Sequence, residues 1–175
     1  KRKIASGCLP FIKSGSSIFL DASTTSLALA TMLRDYKLTV VTNSIKVVNA
    51  LTDNPNIDIV VIGGQLSKSS LSNLGKTAEE NLKKYFFDVA FISCRSVSLK
   101  HGITDTNEQQ AAIRRIAAEH ANTAYLIADY TKFDKTSFVK IGDLDIVDGI
   151  IVDESLSEEW QQVLKEKDIQ LVQCK

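Results

Sequence analysis

Cysteine is scarce: Cys8, Cys94 and Cys174 stand far apart, with no CxxC pair and no Cys/His ligand spacing. That argues against a disulfide framework or a zinc site and favours a reducing compartment. Neither sign of charge is in excess, since lysine plus arginine and aspartate plus glutamate number 21 each. A module that grips nucleic acid by itself carries a basic excess or stripe, so any DNA contact is expected outside this chain. No apolar run approaches membrane-spanning length and no signal peptide is present. The expectation is a cytoplasmic protein with no membrane partner. There is no GxGxxG after the first strand, no Walker A lysine motif and no HExxH. These absences leave a dinucleotide site, an ordinary nucleotide hydrolase and a common metal centre unsupported. No cofactor and no metal is expected, and no repeat, low-complexity tract or linker interrupts the chain.

What is present is ordinary for a globular protein: 175 residues, 44% hydrophobic and 24% charged. That length fits one domain, residues 1–175, able to bury most of its surface. The chain opens on Lys1-Arg-Lys without a methionine, which suggests a fragment whose upstream segment is missing.

The most informative stretch runs from Ser17 to Ala30. Ile18 to Leu20 is a short apolar run that reads as a buried strand. After Asp21 come four hydroxyls, Ser23, Thr24, Thr25 and Ser26, and then Leu29, Met32 and Leu33 at helical spacing. A helix start has unpaired N–H groups and attracts anions. Four hydroxyls beside it suit a phosphate, although a single Ser23 or Thr24 serving as helix cap is the plainer reading.

Taken in order, Arg2 to Ile12 reads as a first helix with an irregular end at Pro10. Leu38–Val41, Ile57–Ile62, Phe86–Ser93, Ala124–Ala128 and Gly149–Val152 read as further strands, with Ile169–Val172 closing the chain. Phe138–Ile141 is a short extended piece. Helices fall after Ser44 (a candidate cap) and after three candidate capping boxes, Thr77-Ala-Glu-Glu80, Thr106-Asn-Glu108-Gln109 and Ser155-Leu-Ser-Glu158. The serine-rich segment Gln65–Gly75 and the segment Cys94–Gly102 read as loops. Apolar strands alternating with helices imply α/β architecture: a doubly wound, mostly parallel sheet covered on both faces.

Ligands of such sheets bind beyond the carboxyl ends of the strands. Here those ends carry Asp21-Ala-Ser23-Thr24-Thr25, Thr42-Asn43-Ser44, Gly63-Gly64, Cys94-Arg95-Ser96 and Asp129-Tyr-Thr-Lys132. Hydroxyls and glycine backbones can approach oxyanions, Arg95 and Lys132 add positive charge, and Asp21 and Asp129 can accept from sugar hydroxyls. A small, anionic, hydroxylated ligand fits, namely a sugar phosphate. Each piece also has a plainer reading. Gly63-Gly64 can be a turn, Arg95 and Lys132 solvated charges, Asn43 a turn residue and Glu108 a helix-start carboxylate. Cys94 reads as a buried thiol, and His101 and His120 as structural or exposed.

The ordered set Asp21-Ala-Ser-Thr-Thr, Thr39-Val-Val-Thr-Asn43-Ser, Gly63-Gly64, Gly75-Lys-Thr-Ala78, Asp88-Val-Ala-Phe-Ile, His101-Gly-Ile-Thr, Glu108 and Ala128-Asp-Tyr-Thr-Lys-Phe133 resembles the C-terminal effector-sensing domain of DeoR-family transcriptional regulators. The likeness covers nearly the whole chain. It implies a fold similar to ribose-5-phosphate isomerase, glucosamine-6-phosphate deaminase and CoA transferases. It further implies a bacterial repressor whose N-terminal winged helix-turn-helix, absent here, binds DNA, with a phosphorylated sugar as effector and a homo-oligomer, dimer or tetramer, as the assembly. By motif, Asp21, Ser23, Thr24 and Thr25 would form the first ligand loop, Thr42, Asn43 and Ser44 the second, and Gly63 and Gly64 the third, with Lys132 at the cationic end. The chain departs from the pattern at Ser96 and Ser23, where glycine is common, and at Thr131, where serine is common. A glycine replaced at Ser96 would matter if the backbone there had positive φ. Three readings remain open at this point: a non-catalytic sensor, an active sugar-phosphate isomerase or deaminase with Asp21, Glu108 or Asp129 as base, and an oligomerisation domain with a decayed pocket.

Overall fold

β-branched and apolar runs build the centre of the molecule, a computed structural model describing residues 1–174. Seven strands form one parallel sheet: β1 (Ser17–Leu20), β2 (Leu38–Thr42), β3 (Ile57–Val61), β6 (Phe87–Ile92), β9 (Ala121–Ile127), β11 (Gly149–Val152) and β12 (Gln170–Gln173). Their spatial order is β12-β11-β9-β6-β1-β2-β3. The intervening β4 (Gln65–Ser67) and β5 (Ser72–Leu74) pair as an antiparallel hairpin. A second small sheet joins β7 (Ser96–Ser98), β8 (Gly102–Asp105) and β10 (Val139–Gly142).

Alternation of side chains across the main sheet gives it two buried faces. Ile18, Leu20, Val40, Phe91 and Ile127 point to one face and pack with α1 (Arg2–Cys8), α2 (Thr24–Ala30) and α3 (Ile45–Leu51). Phe19, Val41, Ala90, Ile92 and Leu126 point to the other. There they meet α4 (Lys76–Leu82), α5 (Glu108–Glu119), α6 (Glu158–Glu166) and the small three-stranded sheet. Trp160 is 1% exposed on this side and lies edge-on to Phe133; its indole N–H donates to Asp134 at 2.8 Å. The expected doubly wound sheet is therefore found. No helix among the described residues is long and apolar enough to cross a membrane.

Several local expectations are corrected. Gln65–Gly75 is not a loop but the β4–β5 hairpin, and Cys94–Gly102 contains β7. These three strands, β4, β5 and β7, are each three residues long and mostly polar; they form by pairing with a neighbouring strand, and Leu74 and Val97 anchor them in the core. Helix α2 stops at Ala30, short of Met32 and Leu33, which follow in tight turns closed by Met32 N–H to Leu29 and Leu33 N–H to Ala30. The three capping boxes are displaced. Gly75, at φ 90°, precedes α4 in place of Thr77. Asp105 takes the Thr106 N–H at 2.7 Å and keeps that residue in a turn, so Asn107 caps α5 by accepting from Gln110 N–H. Leu156 N–H is held by the Gln173 side chain at 2.8 Å, and Ser157 caps α6 in place of Ser155. Ser23 and Ser44 cap α2 and α3 as their sequence positions suggest.

Candidate functional site

The chain runs outward from β1 to β2 and β3, then returns to place β6 on the other side of β1 and continues to β9. The connections leaving β1 and β6 therefore splay in opposite directions, which opens a crevice at the carboxyl ends of these two strands. Asp21 follows β1 and Ser93 follows β6, and the two are joined: the Ser93 N–H donates to Asp21 Oδ2 at 2.8 Å.

Asp21 is 1% exposed, yet none of its carboxylate bonding capacity is wasted. Oδ2 also accepts from Arg114 Nε at 2.8 Å, and Oδ1 accepts from Ser26 Oγ at 2.7 Å and Ser23 N–H at 3.1 Å. Arg114 reaches up from α5 and pairs with Asp105 as well. Burial alone would push the Asp21 carboxyl up. The Arg114 guanidinium and the three serine donors outweigh it and hold the group below its ordinary value. Burial likewise opposes the Arg114 charge, but Asp21 and Asp105 raise its pKa further. This is a satisfied, buried ion cluster.

Beside it opens a cleft of about 400 Å³ lined by Lys1, Thr24, Arg95, Ser96, Asp129, Thr131, Lys132 and Lys135. Lys132 Nζ donates to Ser93 Oγ at 3.0 Å, which links the cleft to the Asp21 cluster through one residue. Among the described residues, none of Arg95, Lys132 and Lys135 has a carboxylate within 4.0 Å. Asp129 accepts from the Thr131 N–H and hydroxyl. Burial raises the Asp129 carboxyl, but the Thr131 bonds and the Lys132 charge leave its pKa lowered. Cys94 lies under the cleft, and burial pushes its thiol up to about 12, so it is a buried thiol and not a poised nucleophile.

The expected site residues thus separate into groups. Thr24, Arg95, Asp129 and Lys132 meet in the cleft, with Asp21 beneath. The four hydroxyls do not act together: Ser23 accepts from Ser26 N–H as a cap, Ser26 serves Asp21, and Thr25 is buried, which leaves Thr24 facing the cleft. At the next strand end, Thr42 Oγ1 donates to Leu20 O at 2.7 Å and accepts from Ser44 N–H. Asn43 is fully buried there, with Nδ2 on Asn73 O at 3.1 Å. Gly63 and Gly64 sit at the base of the β4–β5 hairpin. A Cβ on Gly64 (φ 149°) would lie 2.7 Å from Ala78 Cβ, so that glycine permits close packing against α4. Glu108 is exposed in the first turn of α5, outside the cleft. Ser96 is a buried strand residue outside the positive-φ set, so no glycine is required of its backbone.

Arg114, Asp105, Ser93 and Lys135 join the site without a sequence motif that marks them as ligand residues. Arg114 did leave a signal: it lies three residues from both Ala111 and Ala117, on the apolar stripe of α5. A charge on such a stripe needs a buried partner.

Residues 1–154 match the family described as the DeoR C terminal sensor domain. The chain belongs to the DeoR family. It is 35% identical over 171 residues to the uncharacterised HTH-type transcriptional regulator YulB of Bacillus subtilis, covering 98% of this chain and 66% of that protein. It is 34% identical over 172 residues to the L-fucose operon activator of Haemophilus influenzae, covering 98% and 69%. These DeoR relatives are named as regulators of transcription, and the chain spans about two thirds of their length. In fold, this DeoR domain is similar to ribose 5-phosphate isomerase A of Methanocaldococcus jannaschii, with a TM-score of 0.54 at 16% identity, covering 75% of this chain and 52% of the isomerase. Translation initiation factor eIF-2B of Pyrococcus horikoshii is similar too, with a TM-score of 0.54 at 16% identity, covering 79% and 48%. At that identity the likeness is one of fold alone.

Proposed function

We propose that this DeoR-family sensor domain binds a phosphorylated sugar in the cleft between the β1 and β6 ends, and that binding controls DNA recognition by a helix-turn-helix segment outside this chain. The observation that carries the reading is the convergence of Arg95, Lys132 and Lys135 on one cleft without carboxylate partners among the described residues. Lys1 adds a fourth cation against the single carboxylate of Asp129, and Thr24, Ser96 and Thr131 supply hydroxyls. A phosphate group satisfies such an array because its oxygens accept several charge-assisted hydrogen bonds at once. One relative is named for the L-fucose operon and another for the aga operon, which agrees with a sugar-derived effector.

Turnover would need a carboxylate base with a pKa near the working pH. The buried Asp21 and the cleft residue Asp129 are both held below the ordinary value instead, and Glu108 lies outside the cleft. This supports binding without chemistry.

The test uses the full-length regulator and its operator DNA. A bound sugar phosphate should change operator affinity by a coupling on the order of 1–3 kcal/mol, roughly 5- to 150-fold. A sugar phosphate that binds without altering DNA affinity, or that is converted to product, would overturn the proposal.

A further inference from the structure

The carboxyl ends of β9, β6, β1 and β2 lie side by side in that order, and the character of their residues changes along the row. Lys132 and Arg95 follow β9 and β6, the ion-paired Asp21 follows β1, and the neutral Asn43 follows β2. We propose that Asn43 and Gln110 form a hydroxyl-reading subsite at the β2 end of this row, for the unphosphorylated end of the sugar. The proposal rests on the sensor reading above and adds which way round the ligand lies and which residues select its polyol part.

Two buried side-chain acceptors, Asn43 Oδ1 and Gln110 Oε1, have no hydrogen-bond partner among the described residues. Asn43 Nδ2 is fixed on a carbonyl, Asn73 O, so its free atom is an acceptor. Gln110 Nε2 lies 3.0 Å from Ser72 Oγ. With Nε2 donating to that hydroxyl, the atom of the Gln110 amide left over is the acceptor Oε1. Buried polar atoms are almost always paired. What two acceptors need is a donor, and a sugar hydroxyl is one, whereas a phosphate dianion is not. The phosphate then belongs at the cationic end. Adjacent strands are about 4.8 Å apart, so β6 and β2 are separated by about 10 Å, close to the length of an extended sugar phosphate.

Gln110 also stands one turn before Arg114 on α5, so the helix that fixes Asp21 also carries the second acceptor. The β4–β5 hairpin covers this place. Asn73 N–H bonds to Asn43 O at 2.8 Å, and Ser72 bonds to Gln110. Gly64 (φ 149°) and Gly75 (φ 90°) flank the hairpin, and the exposed Leu71 at its tip is held at φ 48°, a strained region for such a residue. Ser72 and Leu74 of the hairpin are buried, so a sugar reaching the two acceptors requires the hairpin to move.

Calorimetric titration of the chain with a panel of aldose and ketose phosphates and with inorganic phosphate tests this. The tightest sugar phosphate should bind at least about tenfold tighter than inorganic phosphate, and Gln110→Leu should weaken it about tenfold while leaving inorganic phosphate unchanged. If Gln110→Leu leaves the ratio as it was, the two acceptors hold only internal water and the subsite is refuted. If no anion binds, or if Lys132→Ala weakens none of them, the sensor reading fails and this proposal falls with it. Hydrogen exchange on the unaltered chain is an independent check that needs no variant. Exchange at the Asn73 amide should slow with the sugar phosphate and not with inorganic phosphate, and equal exchange with both would refute the subsite.

Discussion

Arg114 and Lys132 are both cations close to the Asp21 loop, yet their surroundings differ in each respect that governs electrostatic work. Arg114 is 8% exposed and bound by two carboxylates, Asp21 and Asp105. Lys132 is half-buried, touches a serine hydroxyl, and has no carboxylate within 4.0 Å among the described residues. The first cation is already neutralised and holds β1, β8 and α5 together. The second remains available to an incoming anion. Charge near a switch point therefore does not mark a ligand site; unmet bonding capacity does.

The contrast predicts opposite consequences for stability. Arg114→Leu leaves two buried carboxylates without their cation and should cost about 3–5 kcal/mol, read as a fall in the urea midpoint. Lys132→Ala should change the same midpoint by less than about 0.5 kcal/mol. If the two variants cost the same, the division between a structural and a functional cation is wrong.

Acid sharpens the same contrast. The Asp21 carboxyl is held below its ordinary value, which is about 3.9 in an unfolded chain. Its contribution is therefore fully present above about pH 4 and is lost as pH falls through the folded value. Asp21→Asn should flatten the fall of stability below about pH 4 while lowering stability at neutral pH. A variant that keeps the full acid slope would remove Asp21 from the buried cluster's energetics.

A smaller effect than that of Arg114 is expected at Ser96. Its strand backbone needs no glycine, so Ser96→Gly should destabilise by roughly 0.5–1 kcal/mol through added chain freedom. A gain in thermal stability would show that serine strains this position.

The main sheet was legible because its strands are continuous apolar runs such as Ile18–Leu20, Val40–Val41 and Ile59–Ile62, separated by helical spacing. The two small sheets were not. Ser96–Ser98 and Ser72–Leu74 are short and mostly polar, and they exist through hairpin pairing with β8 and β4 rather than through a long apolar run. Ser23 and Ser44 could be read as caps because a strand ends directly before each. Asn107 and Ser157 could not, because Asp105 and Gln173 shift the helix starts from outside the helix. Among the site residues, the row of strand ends could be read from the order of motifs. Which hydroxyl faces the cleft could not, since Ser23 and Ser26 are consumed by contacts that only the folded loop creates. Arg114 is legible only through its place on an alanine stripe, which points inward.

The decisive experiment is a comparison of Kd for one sugar phosphate and its unphosphorylated sugar, in the unaltered chain and in Lys132→Ala. A charge-assisted bond to a bound phosphate is worth about 1.5–3 kcal/mol, so the variant should bind the phosphorylated sugar roughly 10- to 150-fold more weakly. The unphosphorylated sugar should bind poorly to both. Equal affinity of the two proteins for the phosphorylated sugar, or no preference for the phosphate in the unaltered chain, would contradict the assignment of this cleft as the sensor's anion site.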